Sequence, residues 1–155
     1  MPRTSAALLL FRSADEGIEV LVGHMGGPFW ARKDAGAWTI PKGELGPDED
    51  PHTAALREFA EEIGVPAPES HEPDLDLGEV RQRSGKVVRC WARRGDLDVT
   101  TITSNLAVVE WPPRSGRRLE VPELDRAAWL TPTAATPLLV TGQSTFLTRL
   151  ETTLG

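Results

Sequence analysis

The 155-residue chain has a single cysteine, Cys90. One thiol cannot close an internal disulfide, so a reducing compartment is its natural setting. Cys90 sits in the apolar stretch Val87-Val88-Arg89-Cys90-Trp91, where a buried strand residue is far commoner than a catalytic thiol. No apolar run approaches the roughly 20 residues that a membrane span needs. The apolar stretch Ala6–Phe11 near the start is short and lacks a small-residue cleavage pattern. It therefore reads as a strand and not a signal peptide, and a cytoplasmic location is expected. Repeats and long linkers are also missing, so residues 1–155 are expected to form one domain. Basic excess is lacking too: 17 Lys and Arg stand against 23 Asp and Glu, a formal charge of −6. That balance argues against nucleic acid as a partner, because non-specific binding neutralises many phosphates. It does not exclude a small anionic substrate, since a local basic patch or a bound cation can reverse the field at one site.

What remains is an ordinary globular composition, 39% apolar and 26% charged, in a chain long enough to bury a core. Ala6–Phe11 predicts a strand covered on both faces, and Ile18–His24 a second strand after the Asp15-Glu16-Gly17 turn. Met25 to Gly36 reads as a loop, and Trp38-Thr39-Ile40 as a short strand stopped by Pro41. Asp50-Pro51 predicts a helix start, with Asp as cap and Pro at the first helical position; Gly64 supplies the stop, and Pro66 and Pro68 bar continuation. Leu75–Gln82 and Val87–Ala92 predict a hairpin turning at Arg83-Ser84-Gly85. Val108–Trp111 and Ala127–Leu130 read as further strands, with Pro112–Arg118 a basic loop between them. Phe146, Leu147, Leu150 and Leu154 recur at helical spacing, predicting a C-terminal helix over Gln143–Leu154. Strands outnumber helices, and their order predicts an α/β (α+β) fold with a mixed sheet between helices. Trp38, Trp91 and Trp111 are expected in the core.

The chemistry is concentrated in Gly43 to Val65. On a helical wheel at roughly 100° per residue, with Glu58 at zero, Glu61 and Glu62 fall at roughly −60° and +40°. The three carboxylates share one stripe, while Leu56, Phe59, Ala60 and Ile63 form a separate apolar one. Ala54 and Ala55 lie one turn earlier above the carboxylates and are expected to leave room for something to approach. Like charges at these spacings repel and destabilise a helix unless something offsets them. Arg57 can reach Glu61 at i+4, and a divalent cation is the stronger candidate; oxygen-only ligands suit Mg²⁺ or Mn²⁺. On the helix alone, a solvated acidic face is the default alternative.

The wider spacing resembles the signature of the Nudix hydrolase family, G-x5-E-x7-R-E-U-x-E-E-x-G-U, with U a bulky apolar residue. Gly43, Glu49, Arg57, Glu58, Glu61, Glu62 and Gly64 occupy the fixed positions, with Phe59 and Val65 at U. A chance match has odds of about 10⁻⁸ per window on average residue usage. Phe59 departs mildly, being aromatic where the family more often has an aliphatic residue, and is still expected to pack inward. The resemblance, MutT-like and of the bacterial short form, implies a mixed sheet sandwiched between helices, and hydrolysis of a phosphoanhydride in a nucleoside diphosphate linked to another moiety. It further implies Glu58, Glu61 and Glu62 as metal ligands and catalytic residues, with the Gly43 carbonyl as an additional ligand. Arg57 would orient a metal-binding glutamate, and Glu49 would be structural. Glu58 or Glu62 could take the proton from water, as could an outlying carboxylate. Glu123 is the candidate for the latter, because Glu123 and Trp129 resemble the Glu-x5-Trp placement of MutT-like members; Glu110 and Glu120 are weaker candidates.

For the substrate, Arg32, Lys33, Lys42, Lys86, Arg114, Arg117 and Arg118 are candidate phosphate contacts, and Phe29 and Trp30 candidate base-stacking residues. The chain has no tyrosine, and so lacks the tyrosine of many dinucleoside-polyphosphate hydrolases. The downstream proline of ADP-ribose pyrophosphatases and the Ser-Gln-Pro-Trp-Pro-Phe string of NADH pyrophosphatases are not apparent. The Trp38–Glu44 and Trp111–Gly116 segments nevertheless resemble proteins grouped with dinucleoside-polyphosphate or nucleoside-triphosphate hydrolases, which rank first. The alternatives are a nucleotide-sensing domain without turnover, against which the intact Glu58, Glu61 and Glu62 argue, and an RNA 5′-end pyrophosphohydrolase, against which the acidic charge argues. A monomer and a homodimer both remain open.

Overall fold

The computed structural model of the protein describes residues 3–155. The chain opens with β1 (Thr4–Ala14) and β2 (Gly17–Met25), followed by the short β3 (Trp38–Thr39) and β4 (Lys42–Glu44) and by helix α1 (Pro51–Ile63). The hairpin β5 (Leu75–Arg81) and β6 (Val87–Arg94) comes next, then β7 (Leu106–Glu110), β8 (Arg118–Pro122) and β9 (Leu124–Leu130). Two helices, α2 (Pro132–Ala135) and α3 (Ser144–Leu154), end the chain. No helix among the described residues is long and apolar enough to cross a membrane.

β1 is the hub, for a reason legible in its side chains. Successive strand residues point to opposite faces. Ala6, Leu8 and Leu10 meet Ala54, Ala55, Phe59 and Ile63 of α1. Ala7, Leu9 and Phe11 meet Phe146, Leu147 and Leu150 of α3. None of the six β1 residues is more than 1% exposed, so the strand is covered on both faces and the mixed sheet is sandwiched between helices. Cys90 faces the α3 side and Trp91 the α1 side. Full burial pushes the Cys90 thiol pKa up, which leaves it inert.

The pairing pattern opens a gap that the functional segment fills. β6 runs parallel to β1 from Thr4↔Val87 to Phe11↔Arg94. On its other edge β1 pairs with β2 only from Phe11↔Val20 to Ala14↔Gly17. Below that point the two strands part. The Trp38–Glu44 segment enters between them, β3 pairing with Gly23 and His24 of β2 and β4 with Ser5–Ala7 of β1. β9 covers the far edge of β2, and β7 and β8 form a separate two-stranded sheet.

α1 begins and ends where its sequence dictates. The Asp50 carboxylate accepts from Thr53 N at 3.0 Å, Pro51 occupies the first turn, and Gly64 closes the helix at φ 95°. Several expectations need correction. Ala54 and Ala55 are fully buried; their small side chains let the helix lie close against β1, so the sheet, not a ligand, fills the space above them. Leu56 and Ala60 are only half-buried, and the inward stripe instead includes Glu58 and Glu62. Trp111 is half-buried at the tip of the β7–β8 hairpin, outside the core, unlike Trp38 and Trp91. β8 was not foreseen, and Arg118 begins it; β8 is mostly exposed and carries too little apolar alternation to signal a strand.

At Gly64 an added Cβ would lie 2.6 Å from the Thr103 carbonyl oxygen, on backbone already at positive φ; at Gly17, φ 106°, nothing lies within 4 Å. Gly64→Ala should therefore cost more than the about 1–3 kcal/mol of left-handed strain that Gly17→Ala incurs. Urea unfolding midpoints compare the two, and equal losses would remove the role given to the Thr103 contact.

Candidate active site

A cavity of about 770 Å³ lies where β4, the C-terminal half of α1 and the β8–β9 junction meet. Gly43, Glu58, Glu61, Glu62 and Glu123 line one part of it, Lys42 and Lys86 another, and Trp30 with Met25 and Val109 a third. Three elements converge because of the gap in the sheet. β4 enters beside β1 and lays its backbone against α1: Lys42 N donates to Glu62 Oε2 at 2.9 Å. At Gly43 an added Cβ would coincide with the Glu58 carboxylate. Only glycine lets the strand pass this close to that side chain.

Glu123 arrives from the other side. Asn105 links the two walls: its N–H donates to the Glu61 carbonyl, and its carbonyl accepts from Glu123 N, both at 2.9 Å. Gly26 N donates to the Glu123 carbonyl at 2.9 Å. The Glu123 and Glu62 carboxyl groups are thereby placed side by side. Asn105 was not singled out from sequence, and nothing local marks it. Its Oδ1 is buried and has no hydrogen-bond partner among the described residues.

Burial dominates the electrostatics. Glu62 is 4% exposed and Glu58 8%. Desolvation raises the Glu62 pKa to about 9, reinforced by Glu123 and opposed by the Lys42 amide. Desolvation also raises Glu58, with Arg57 opposing. Lys42 is lowered by its own burial, partly offset by Glu62. A carboxyl held protonated by burial, as Glu62 is, regains its charge when a cation enters.

Arg57 organises the charged face. Its Nε and Nη2 donate to the two oxygens of Glu49 at 2.7 and 2.8 Å, a fork-to-fork pair. Its Nη1 donates to Glu58 at 2.9 Å and to Glu61 at 3.2 Å. Glu49 in turn accepts from Gly46 N at 2.8 Å, and its hydrogen bonds to Arg57 and Gly46 lower its carboxyl to about 2. The pair fixes the loop before α1 to the helix while the third guanidinium nitrogen steers two carboxylates.

The donor set fits a hard divalent cation: clustered carboxylate oxygens plus a backbone carbonyl, without sulfur. Glu58 and Glu61 are engaged by Arg57, and among the described residues no three acidic or histidine side chains converge on one point. Gathering a cation requires those two side chains to turn away from the guanidinium.

The remaining candidates divide. Arg32, Arg114 and Arg117 are exposed and lie outside the cavity lining, as do Lys33, Glu110, Glu120 and Arg118. Glu110 Oε1 accepts from Arg114 N at 2.8 Å across the hairpin tip. His24 was read only as a strand residue. It is fully buried, with its ring nitrogens 2.9 Å from Asp125 Oδ1 and 2.7 Å from the Lys33 carbonyl, and so anchors the loop that presents Trp30. A histidine inside an otherwise apolar strand was the available signal.

A family model described as NUDIX domain matches residues 1–150. Among curated proteins none matches. Solved structures share the fold. A Caenorhabditis elegans Ap4A hydrolase binary complex aligns with TM-score 0.67 and 21% identity over 97% of each chain. The NUDIX domain of Shewanella oneidensis NrtR, complexed with ADP ribose, gives TM-score 0.67 and 18% identity over 100% of this chain and 90% of that one. The MutT protein of Methanosarcina mazei Go1 gives TM-score 0.61 and 20% identity over 99% and 96%. The signature residues around one cavity and the family match over nearly the whole chain lead to one conclusion: this chain belongs to the Nudix family.

Proposed function

We propose that the chain, as one domain over residues 1–155, hydrolyses a phosphoanhydride bond in a nucleoside diphosphate linked to another moiety. Nucleoside triphosphates and dinucleoside polyphosphates are the first candidates, and Mg²⁺ or Mn²⁺ the cofactor. The observation that carries this is the single cavity in which Glu58, Glu61, Glu62 and Glu123 face Lys42 and Lys86. A polyphosphate needs both walls. Glu58, Glu61, Glu62 and Glu123, with the Gly43 carbonyl, would hold the cation. When bound, it neutralises phosphate oxygens and acidifies water. Lys42 and Lys86 draw the phosphate chain across the cavity as point charges. Glu62 or Glu58 accepts the proton of the attacking water. Arg57 holds Glu58 and Glu61 at the cavity wall until the cation takes them over, fixes the loop before α1 through its fork to Glu49, and stays out of the reaction. Trp30 offers an apolar surface to the nucleoside. The Ap4A hydrolase and the ADP-ribose complex among the structural neighbours are consistent with this class.

Assayed on a nucleotide panel with Mg²⁺ and Mn²⁺, Glu61→Gln and Glu62→Gln should each lower kcat by about 10²–10⁴-fold. Wild-type turnover retained in both variants would overturn the assignment, and wild-type binding without any turnover would favour a sensor. Arg57→Lys keeps the charge but loses the fork. It should weaken Mn²⁺ binding about 10–100-fold, as loss of a group that orients ligands does, measured by isothermal titration.

The raised Glu62 pKa makes a separate prediction for the cation-free protein. Folded, Glu62 keeps its proton up to about 9, whereas unfolded it titrates near 4.5. Between these values the folded chain binds more protons, so this stabilisation is fully present below the unfolded pKa and is lost as pH rises toward 9. The melting temperature in EDTA should fall across that window. Glu62→Gln should flatten the slope, and an unchanged slope would contradict the protonated state.

A further inference from the structure

His24 lies in β2 with its ring fully enclosed. Both ring nitrogens sit on oxygens: Nδ1 is 2.9 Å from Asp125 Oδ1, and Nε2 is 2.7 Å from the Lys33 carbonyl. A peptide carbonyl only accepts hydrogen bonds. Asp125 Oδ1 also accepts from Arg126 Nη1 at 3.2 Å, so it too faces the ring as an acceptor. A neutral imidazole carries one N–H and cannot donate to both oxygens; the imidazolium carries two. The geometry is that of a ring that donates twice. The loop held by this ring is a chain of short contacts leading to the cavity wall. Lys33 N donates to the Trp30 carbonyl at 2.9 Å, and Trp30 N to the Gly27 carbonyl at 3.2 Å. The charged groups around the ring come from two elements. β9 brings Asp125 and Arg126, and the loop brings Lys33, whose ammonium lies over Phe29, and Asp34, which accepts from Trp38 Nε1. Trp38 stands edge-on to the ring at 5.2 Å between centroids. Its backbone is bonded to Leu138 and Val140, which bring no charge.

We propose that His24 is a positioning residue that holds the Trp30 wall of the cavity only while both ring nitrogens carry a hydrogen, so that rising pH releases the wall. In the charged ring both contacts are made. When the ring gives up one proton, the remaining hydrogen stays with the stronger acceptor, the Asp125 carboxylate. Nε2 then turns a lone pair toward the Lys33 carbonyl, acceptor against acceptor, where the enclosed ring admits no water. The carbonyl turns away, and Trp30, bonded to Lys33 through the backbone, moves with it. The Asp125 contact survives, so the strand that follows Glu123 keeps its place. Substrate binding weakens while the acidic wall stands. The effect on binding rests on the nucleotide reading above; the coupling of ring to loop does not.

Nitrogen-15 NMR of the full chain in EDTA, across about pH 5 to 8 where histidine changes charge, follows ring and loop without substrate. At the acid end the His24 ring should show two N–H nitrogens. As pH rises, loss of the second hydrogen should coincide with a shift of the Trp30 indole signal and faster exchange of the Lys33 amide. Asp125→Asn, at a partly exposed position, removes the anion beside the charged ring and should move both changes to lower pH together. His24→Gln offers one nitrogen and no titration, and should abolish the pH-dependent change, its melting temperature confirming that it folds. A single ring N–H with the loop in place, a ring that loses its hydrogen while the loop signals stay fixed, or an Asp125→Asn protein in which one change moves without the other would each overturn the proposal. Hydrolysis of a nucleoside triphosphate with Mg²⁺ supplies the second readout. KM should rise about 3–10-fold across the same step, the worth of one net hydrogen bond, and His24→Gln should show the raised KM at every pH. Coupled ring and loop changes with no turnover of any nucleotide would remove the hydrolase and leave the positioning role; turnover with ring and loop uncoupled does the reverse.

Discussion

Carboxylates placed beside carboxylates in a half-dry pocket repel one another and lose their hydration, and the active end of this fold is built around that cost. Glu58 and Glu62 are nearly inaccessible, and Glu123 is brought against Glu62 from a separate part of the chain. Proton uptake by Glu62, the Lys42 amide and the Arg57 guanidinium offset the repulsion when no cation is held. All three are reversible. The proposed divalent cation would displace the proton and the guanidinium, exchanging internal contacts for ligand.

That arrangement depends on how closely the backbone approaches. β4 must pass over Glu58 where only glycine fits, and α1 lies on β1 through the small, fully buried side chains of Ala54 and Ala55. Both follow from β1 and β2 parting halfway along their length, which admits the Trp38–Glu44 segment between them. The apolar alternation of β1, split between the α1 and α3 faces, holds the gap in place. The geometry of the candidate site is thus a consequence of how the core is divided. Arg57 then sets the aim of the charged face through the fork to Glu49, which ties the loop preceding the helix to the helix itself.

The paired strands and α1 were legible because their signals are local. Asp50-Pro51 and Gly64 mark the ends of α1 by capping and by left-handed backbone, and β1 announces itself as an unbroken apolar run. The signature spacing from Gly43 to Val65 carried the family, and the lone cysteine proved buried in the sheet. Sequence also put Glu58, Glu61 and Glu62 on one side of the helix, since 3.6 residues per turn leaves no other choice. It could not say that this side is half-buried. The wheel assigns directions but not what lies in each of them, so Ala54 and Ala55 looked open when they are covered.

Everything that joins distant segments was decided by the tertiary structure alone. The meeting of Glu123 with Glu62, the link through Asn105, the anchoring of the Trp30 loop by His24, and the exclusion of Arg32, Arg114 and Arg117 from the cavity are set by strand order and pairing register. Local propensity contains no information about these. By itself the amino-acid order determined a family signature, a capped acidic helix and a strand buried on both faces, because each needs only neighbours within a few residues. The site's shape and the protonation of Glu62 required the fold, because burial and long-range charge exist only once distant parts of the chain have packed together.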